Sequence, residues 1–236
     1  MKTIVTFTGI DSRTDIGRLC ALQKKYPEAE FGVLFSETRN GNENRYPDFK
    51  PLMQELDGHY LNIAVHVCGR QVEAIIKHGG LSYCDTINEE LMYYTNKFVK
   101  RIQLNGIKDS LVSKHPFFAA PYSVEVIFQQ STTKPSLIER FDRLAGDISV
   151  LVDNSGGAGI ESRFEPYRPG SHLWPEYRVG YAGGIGPDNV MRKLGEIALL
   201  RTNDWWIDME SRIRTDDWFD LGKVQSVLEQ MFPGRG

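Results

Sequence analysis

The segment 150–159 constrains the fold of this chain more than any other part of the sequence. An apolar run, Val150-Leu-Val, ends at Asp153, and glycines follow at positions 156, 157 and 159. A continuous apolar run of this kind is typical of a strand that is buried on both faces, as in a parallel sheet. Asp153 would then lie at the carboxyl end of its strand, the edge at which parallel α/β proteins bind ligands.

The same pattern recurs twice later in the chain. Segment 179–186 is an apolar strand that runs into Ala-Gly-Gly-Ile-Gly, and segment 206–212 brings Asp208 and Glu210 to the end of another strand. Glycines at such positions let backbone N–H groups approach an anion closely. Three successive strands are therefore predicted to deliver glycines or carboxylates to one edge.

Alternation of strand and helix patterns extends over the whole chain. Period-2 or fully apolar runs predict eight strands, at 2–8, 31–35, 62–68, 99–104, 123–128, 148–152, 178–182 and 205–209. Helical periodicity predicts helices at 15–26, from Pro47 onward, and at 71–77, 87–98, 135–144, 187–200 and 220–232. We therefore predict a (β/α)8 barrel, with residues 1–236 forming a single domain. An open doubly wound sheet requires the same alternation and is the rival interpretation.

Composition excludes several classes of function. The formal net charge of −3 gives no electrostatic reason to expect binding to nucleic acid or to an anionic membrane. The sequence has no apolar stretch of the length of a membrane span. Cys20, Cys68 and Cys84 lack paired or zinc-type spacing, which favours a reduced, cytoplasmic environment. Nothing in the sequence indicates the oligomeric state.

Several motifs, taken together and in this order, resemble the phosphoribosylanthranilate isomerase family, the tryptophan-pathway barrel that performs an Amadori rearrangement. The similar segments are Thr8-Gly-Ile10, Asn44-Arg-Tyr-Pro47, Ile102-Gln-Leu-Asn-Gly106, Asp153 with Gly156-Gly-Ala-Gly159, Ala182-Gly-Gly-Ile-Gly-Pro-Asp-Asn-Val190, and Asp208-Met-Glu-Ser-Arg-Ile-Arg214. The match is most specific in the last third of the chain.

The resemblance implies roles for particular residues. Asp153 would be the general acid that protonates the ribose ring oxygen, and Thr8 stands where the family has the cysteine that acts as general base. Arg45 would contact a substrate carboxylate, with Arg39 as a rival in the same loop, and Asn105 replaces a family histidine. The substrate phosphate would bind at Gly156, Gly157, Gly183, Gly184, Ser211 and Arg212, although Gly183 and Gly184 could equally form a simple tight turn.

Two departures from the family pattern bear on catalysis. A threonine hydroxyl is a poor base, so Thr8 predicts weak activity that Thr8→Cys would restore. Arg212 replaces a glycine beside the phosphate and would have to bind the anion through its own guanidinium. The sequence therefore leaves three interpretations: an isomerase with an altered base, an inactive barrel that binds a phosphorylated ligand, or an enzyme of another reaction class. We predict no cofactor or metal, with His66 and Cys68 filling the barrel interior.

Overall fold

A closed barrel of eight parallel strands forms the centre of the computed structural model, which describes residues 3–81, 88–121, 123–131, 137–155, 159–161, 163–164, 177–200 and 205–235. The barrel strands, β1 to β8 in chain order, are Ile4–Thr8, Ala29–Phe35, Ile63–Val67, Arg101–Leu104, Glu125–Gln130, Ile148–Asp153, Arg178–Ala182 and Trp205–Met209. Each strand pairs in parallel with its neighbours along the chain, and β8 pairs with β1 to close the ring. The predicted (β/α)8 barrel is confirmed, and the open sheet is excluded.

Burial explains why these segments form a barrel. Every residue of β2, β3, β4 and β6 is buried, so each of these strands has one face on the surrounding helices and one inside the barrel. Alternate residues point to opposite faces of a strand. On β8, Trp206 and Asp208 point inward while Ile207 packs in the large outer core.

Six helices of eight or more residues are present in the described part of the chain. They are α1 to α6: Ile16–Lys25, Phe49–Leu56, Arg70–Lys77, Glu89–Lys97, Val190–Ala198 and Leu221–Met231. Asp15 and Asp220 cap α1 and α6 by accepting hydrogen bonds from backbone N–H groups of the first turn. None of these helices, nor any other within the described ranges, is both long enough and apolar enough to cross a membrane.

Two helix predictions are wrong in part. Pro47 does not open α2, which begins at Phe49 after the N-cap residue Asp48. The described part of the predicted helix 135–144 contains only a 3-10 turn, Ile138–Arg140, followed by the short strand Arg143–Ala145. That strand pairs with Phe117–Ala119 in a small sheet outside the barrel, and the pairing overrides the local helical periodicity.

Charged side chains fill the barrel interior at its amino-terminal end. Arg101 forms ion pairs with Glu30 and Glu125, each at 3.0 Å, and its guanidinium lies over the ring of Trp206. Thr6 donates a hydrogen bond to Glu30 at 2.8 Å. Buried charges are tolerated when they are paired and hydrogen-bonded, and Arg101 Nη1 and Nη2 donate hydrogen bonds to Glu30 and Glu125 at 3.0 and 3.3 Å.

Candidate functional site

A cleft of about 660 Å³ lies at the carboxyl ends of the barrel strands. This is the end at which barrels of this kind carry their ligand sites. The predicted site residues that line it are Arg45, Asn105, Asp153, Gly183, Gly184, Ser211 and Arg212. Gly156 and Gly157 lie outside the described residues. Most of the side chains that the sequence singled out are therefore brought to one cleft.

Thr8 is placed differently from the other predicted site residues. Its side chain is 1% exposed, and its hydroxyl donates a hydrogen bond to Asp208 Oδ1 at 2.7 Å. Arg214 covers the end of β1, because its Nη1 donates to the Gly9 carbonyl at 2.7 Å and its Nη2 pairs with Asp11 at 3.3 Å. The described residues that line the cleft include none from β1 or from the segment between β1 and α1. Thr8 thus lies beneath the cleft floor.

Asp153 is surrounded by hydrogen-bond donors. The backbone N–H and the hydroxyl of Ser155 donate to its Oδ1 at 2.9 and 2.6 Å. The side-chain amide of Gln129 donates to its Oδ2 at 2.8 Å. These donors fix both oxygens of the carboxyl group. Asp153 is therefore held in one orientation at the cleft wall.

Asp208 has the opposite environment. It is 6% exposed and lines the cleft floor, and burial raises the pKa of its carboxyl to about 8, although the hydrogen bond from Thr8 opposes the shift. Its Oδ2 lies 4.0 Å from His66 Nδ1, too far for a hydrogen bond. Burial, with a contribution from Arg101, lowers the pKa of His66 to about 3. At neutral pH Asp208 is therefore protonated beside a neutral imidazole.

The arginine that the resemblance assigns to a substrate carboxylate is already paired. Arg45 Nε donates to Asp217 Oδ1 at 2.7 Å, and Arg45 Nη1 donates to Glu210 Oε1 at 3.0 Å. Asp217 belongs to a turn between the short antiparallel strands Arg214–Thr215 and Trp218–Phe219. Burial raises the pKa of Glu210, while Arg45 and Arg214 oppose that shift. An incoming carboxylate would have to displace these two acidic side chains from Arg45.

The glycines after β6 and β7 allow the loops at this end to pack closely. A Cβ at Gly184, whose φ is +64°, would lie 2.5 Å from the backbone nitrogen of Glu161. A Cβ at Gly159 would lie 2.5 Å from the Cβ of Ser211. Substitution at either position would push these loops apart, so loop packing explains both glycines.

Arg212 is also engaged by the chain itself. Its Nη1 pairs with Asp188 at 2.8 Å, and its Nη2 lies 3.8 Å from Glu161. Glu161 further accepts a hydrogen bond from the Asn189 amide at 3.1 Å and pairs with Arg192. Side-chain hydrogen bonds, chiefly that from Arg192, lower the pKa of Glu161 to about 2. The predicted anion ligand Arg212 thus has two carboxylate neighbours.

Cys68 and Asn105 form a polar group on the wall of the cleft. The Asn105 amide donates to Cys68 Sγ at 3.5 Å, and the Tyr46 hydroxyl donates to the same sulfur at 3.7 Å. Gln103 donates to Asn105 Oδ1 at 2.8 Å and fixes that amide. Burial raises the pKa of the Cys68 thiol. Within the described ranges, no group of three or more His, Cys, Asp or Glu side chains could hold a metal ion.

The sequence assigned no site role to Gln103 and Gln129, which line the cleft, and it placed Asp208 at this edge without a role in catalysis or binding. Each of these residues lies two positions from another inward-facing residue on the same strand. Strand alternation therefore predicts that they face the barrel interior. Alternation does not distinguish a ligand contact from a core residue, so burial and hydrogen bonding were needed to single out Asp208.

Comparisons with known proteins bear on the fold. No protein-family model matches the chain, and no curated protein sequence matches it. The N-(5'-phosphoribosyl)anthranilate isomerase of Pyrococcus furiosus aligns over 97% of this chain and 98% of its own, with a TM-score of 0.54 and 16% identity. The phosphoribosyl anthranilate isomerase of Thermococcus kodakaraensis aligns over 98% of this chain and 100% of its own, with a TM-score of 0.54 and 15% identity. The family that the sequence motifs resemble therefore also provides structural neighbours that share the barrel fold.

Proposed function

We propose that this barrel binds a phosphorylated small molecule in the cleft and isomerises it by acid–base catalysis. The observation that carries the proposal is the pair of carboxyl groups in one cleft. Asp208 holds its proton at neutral pH, with a pKa raised by burial to about 8, whereas Asp153 is surrounded by donors. A carboxyl that keeps its proton and a second carboxyl that hydrogen bonds hold in place can serve as the acid and the base of one reaction.

The proposed roles differ from those that the resemblance implies. Asp208 would donate its proton to the ring oxygen of an aminoaldose phosphate as the ring C–O bond breaks. Asp153 would accept the proton from the neighbouring carbon, and the electron pair of that C–H bond would form the C=C bond of an enolamine. Thr8 would then be a positioning residue, because its hydroxyl fixes Asp208 through Oδ1 and leaves Oδ2 for the substrate. This arrangement requires no base on β1.

A second candidate is a barrel that binds a phosphorylated ligand without catalysis. It is favoured by the pairing of Arg45 and Arg212 with carboxylates of the chain, since both arginines would otherwise hold the substrate's anionic groups. An enzyme of another reaction class on the same scaffold would keep the acid–base pair and change the surrounding contacts.

Turnover of N-(5'-phosphoribosyl)anthranilate separates these candidates. The wild type should convert it and, in D2O, should exchange the hydrogen on the carbon next to the anomeric centre. Asp153→Asn should abolish that exchange, and Asp208→Asn should lower turnover by about 10²–10⁴-fold, the usual effect of losing a positioned acid or base. Complementation of a tryptophan-requiring strain is a second readout.

The other outcomes are equally specific. Binding without turnover or exchange would support the non-catalytic barrel. Exchange with other aldose phosphates but not with this compound would support another substrate and retain the acid–base pair. Full activity in both variants would refute the proposed mechanism.

A further inference from the structure

His66 lies at the floor of the cleft, and the proposed mechanism gives it no role. It is on β3 and only 1% exposed, yet it is among the residues that line the cleft. Its ring meets polar groups on two sides. Nε2 lies 3.5 Å from Thr8 Oγ1, and Nδ1 lies 4.0 Å from Asp208 Oδ2. His66 therefore faces both the proposed acid and the hydroxyl that holds it.

A glycine on the intervening strand makes this contact possible. Thr8 is on β1 and His66 on β3, with Gly32 of β2 between them. A Cβ at Gly32 would lie 2.6 Å from Thr8 Oγ1 and 3.2 Å from His66 Nε2. A larger residue would push the two side chains apart, so the glycine lets the hydroxyl and the imidazole meet across β2.

The hydrogen bonds of Thr8 determine the tautomer of His66. The Thr8 hydroxyl hydrogen is used in the 2.7 Å bond to Asp208 Oδ1, so the Thr8 oxygen can act only as an acceptor towards His66. Nε2 therefore carries the ring hydrogen. Burial lowers the pKa of His66 to about 3, so the ring is neutral and Nδ1 keeps its lone pair.

Asp208 then meets a different partner at each oxygen. Oδ1 accepts the Thr8 hydrogen bond, whereas Oδ2 faces the lone pair of His66 Nδ1. A carboxylate oxygen and an imidazole lone pair repel each other, but a protonated Oδ2 can turn its hydrogen towards Nδ1. Because the two atoms are 4.0 Å apart, they form no direct hydrogen bond, and the proton stays available to a substrate.

We infer that His66 is a positioning residue for Asp208, and that its ring keeps the proton of this carboxyl on Oδ2, the oxygen left for the substrate. This inference rests on the proposed function, in which Asp208 donates that proton. His66 thus does more than fill the barrel interior.

Other charges act on the same pair without distinguishing the two oxygens. The charged groups that face it from the neighbouring strands are Glu30 on β2, Arg101 on β4, Asp153 on β6 and Glu210 just beyond β8. Burial is the main cause of both pKa shifts. The carboxylates add to burial in raising the pKa of Asp208, and the guanidinium adds to burial in lowering that of His66.

Long-range 1H–15N NMR of the histidine rings at pH 7 tests the tautomer. The wild type should show the His66 hydrogen on Nε2. Thr8→Val removes the acceptor of that hydrogen, so we expect the hydrogen to move to Nδ1, from which it can be donated to Asp208 Oδ2. A hydrogen on Nδ1 in the wild type, or an unchanged tautomer in Thr8→Val, would overturn the inference.

The titration of Asp208 gives a second test. Its carboxyl carbon, assigned with Asp208→Asn, reports protonation in 13C NMR. His66→Phe keeps an aromatic ring but removes the lone pair that opposes a carboxylate at Oδ2. The midpoint, expected at about 8 in the wild type, should fall by about one pH unit, the lower end of the shift that a neighbouring charge causes.

Cys68→Ser is the matched control. Cys68 follows the same strand and lines the same cleft, but its sulfur accepts hydrogen bonds from Tyr46 and Asn105. This variant should keep the wild-type midpoint of Asp208. An unchanged or higher midpoint in His66→Phe, or an equal fall in Cys68→Ser, would contradict the assignment.

Neither NMR measurement needs turnover, so this inference and the proposed function can fail separately. The expected tautomer and midpoint in a protein without turnover would refute only the proposed catalysis. Turnover that depends on Asp208, with the same alkaline limit in the wild type and in His66→Phe, would refute only the role of His66.

Discussion

Asp208→Asn tests the electrostatic argument on which the proposed mechanism depends. The asparagine keeps the shape of the side chain and can still accept the Thr8 hydrogen bond through its carbonyl oxygen. It removes the only ionisable group of residue 208. The variant therefore isolates the effect of charging a carboxyl at the cleft floor.

The sign and magnitude follow from proton linkage. Burial raises the pKa of Asp208 to about 8 in the folded protein, and an aspartate in the unfolded chain titrates near ~3.9. The folded state therefore retains a proton that the unfolded state releases. The contribution of Asp208 to the free energy of unfolding is therefore fully present below about pH 4 and is lost as the pH rises towards 8. A difference of about four pKa units corresponds to a loss on the order of 5 kcal/mol.

Urea denaturation between pH 5 and 9 measures this effect. The free energy of unfolding of the wild type should fall with pH more steeply than that of Asp208→Asn, and the variant should be the more stable protein at pH 9. Asp142→Asn, at an exposed position, should keep the wild-type pH dependence. Parallel curves for the wild type and Asp208→Asn would refute the raised pKa, and with it the role of Asp208 as a neutral-pH proton donor.

Three further substitutions give independent tests. Gly32→Ala would place a Cβ 2.6 Å from Thr8 Oγ1 and 3.1 Å from Thr8 Cα, and should lower the free energy of unfolding by about 1–3 kcal/mol through overpacking; an unchanged urea midpoint would contradict the described packing. Thr8→Cys should gain no isomerase activity, contrary to the expectation from sequence, because the side chain is buried below the cleft; a gain in turnover would show that β1 is accessible. Arg101→Met would leave Glu30 and Glu125 without their buried partner and should cost about 3–5 kcal/mol in urea denaturation; a loss below about 1 kcal/mol would show that the network contributes little.

The sequence predicted most of the secondary structure because the signals are local. All eight strands lie where apolar runs indicated them, and Asp15 and Asp220 mark the starts of two helices through their capping side chains. The segment 135–144 was predicted incorrectly because its apolar spacing suits a helix, whereas its described residues 143–145 pair with a strand about 26 residues earlier. Pairing between distant segments leaves no trace in local periodicity.

By itself, the sequence determined that this chain alternates strands and helices and that Asp153, Gly183 and Gly184 stand at the carboxyl ends of its strands. Local periodicity is sufficient for that, but it is the same in an open sheet, and only the pairing of β8 with β1 closes the barrel. The tertiary structure decided which of these residues are accessible and which are already paired. Arg214 closes β1 over Thr8, and Asp217 and Glu210 occupy Arg45. These contacts join residues 165 to 205 positions apart, and the burial that sets the pKa of Asp208 exists only once the barrel has closed.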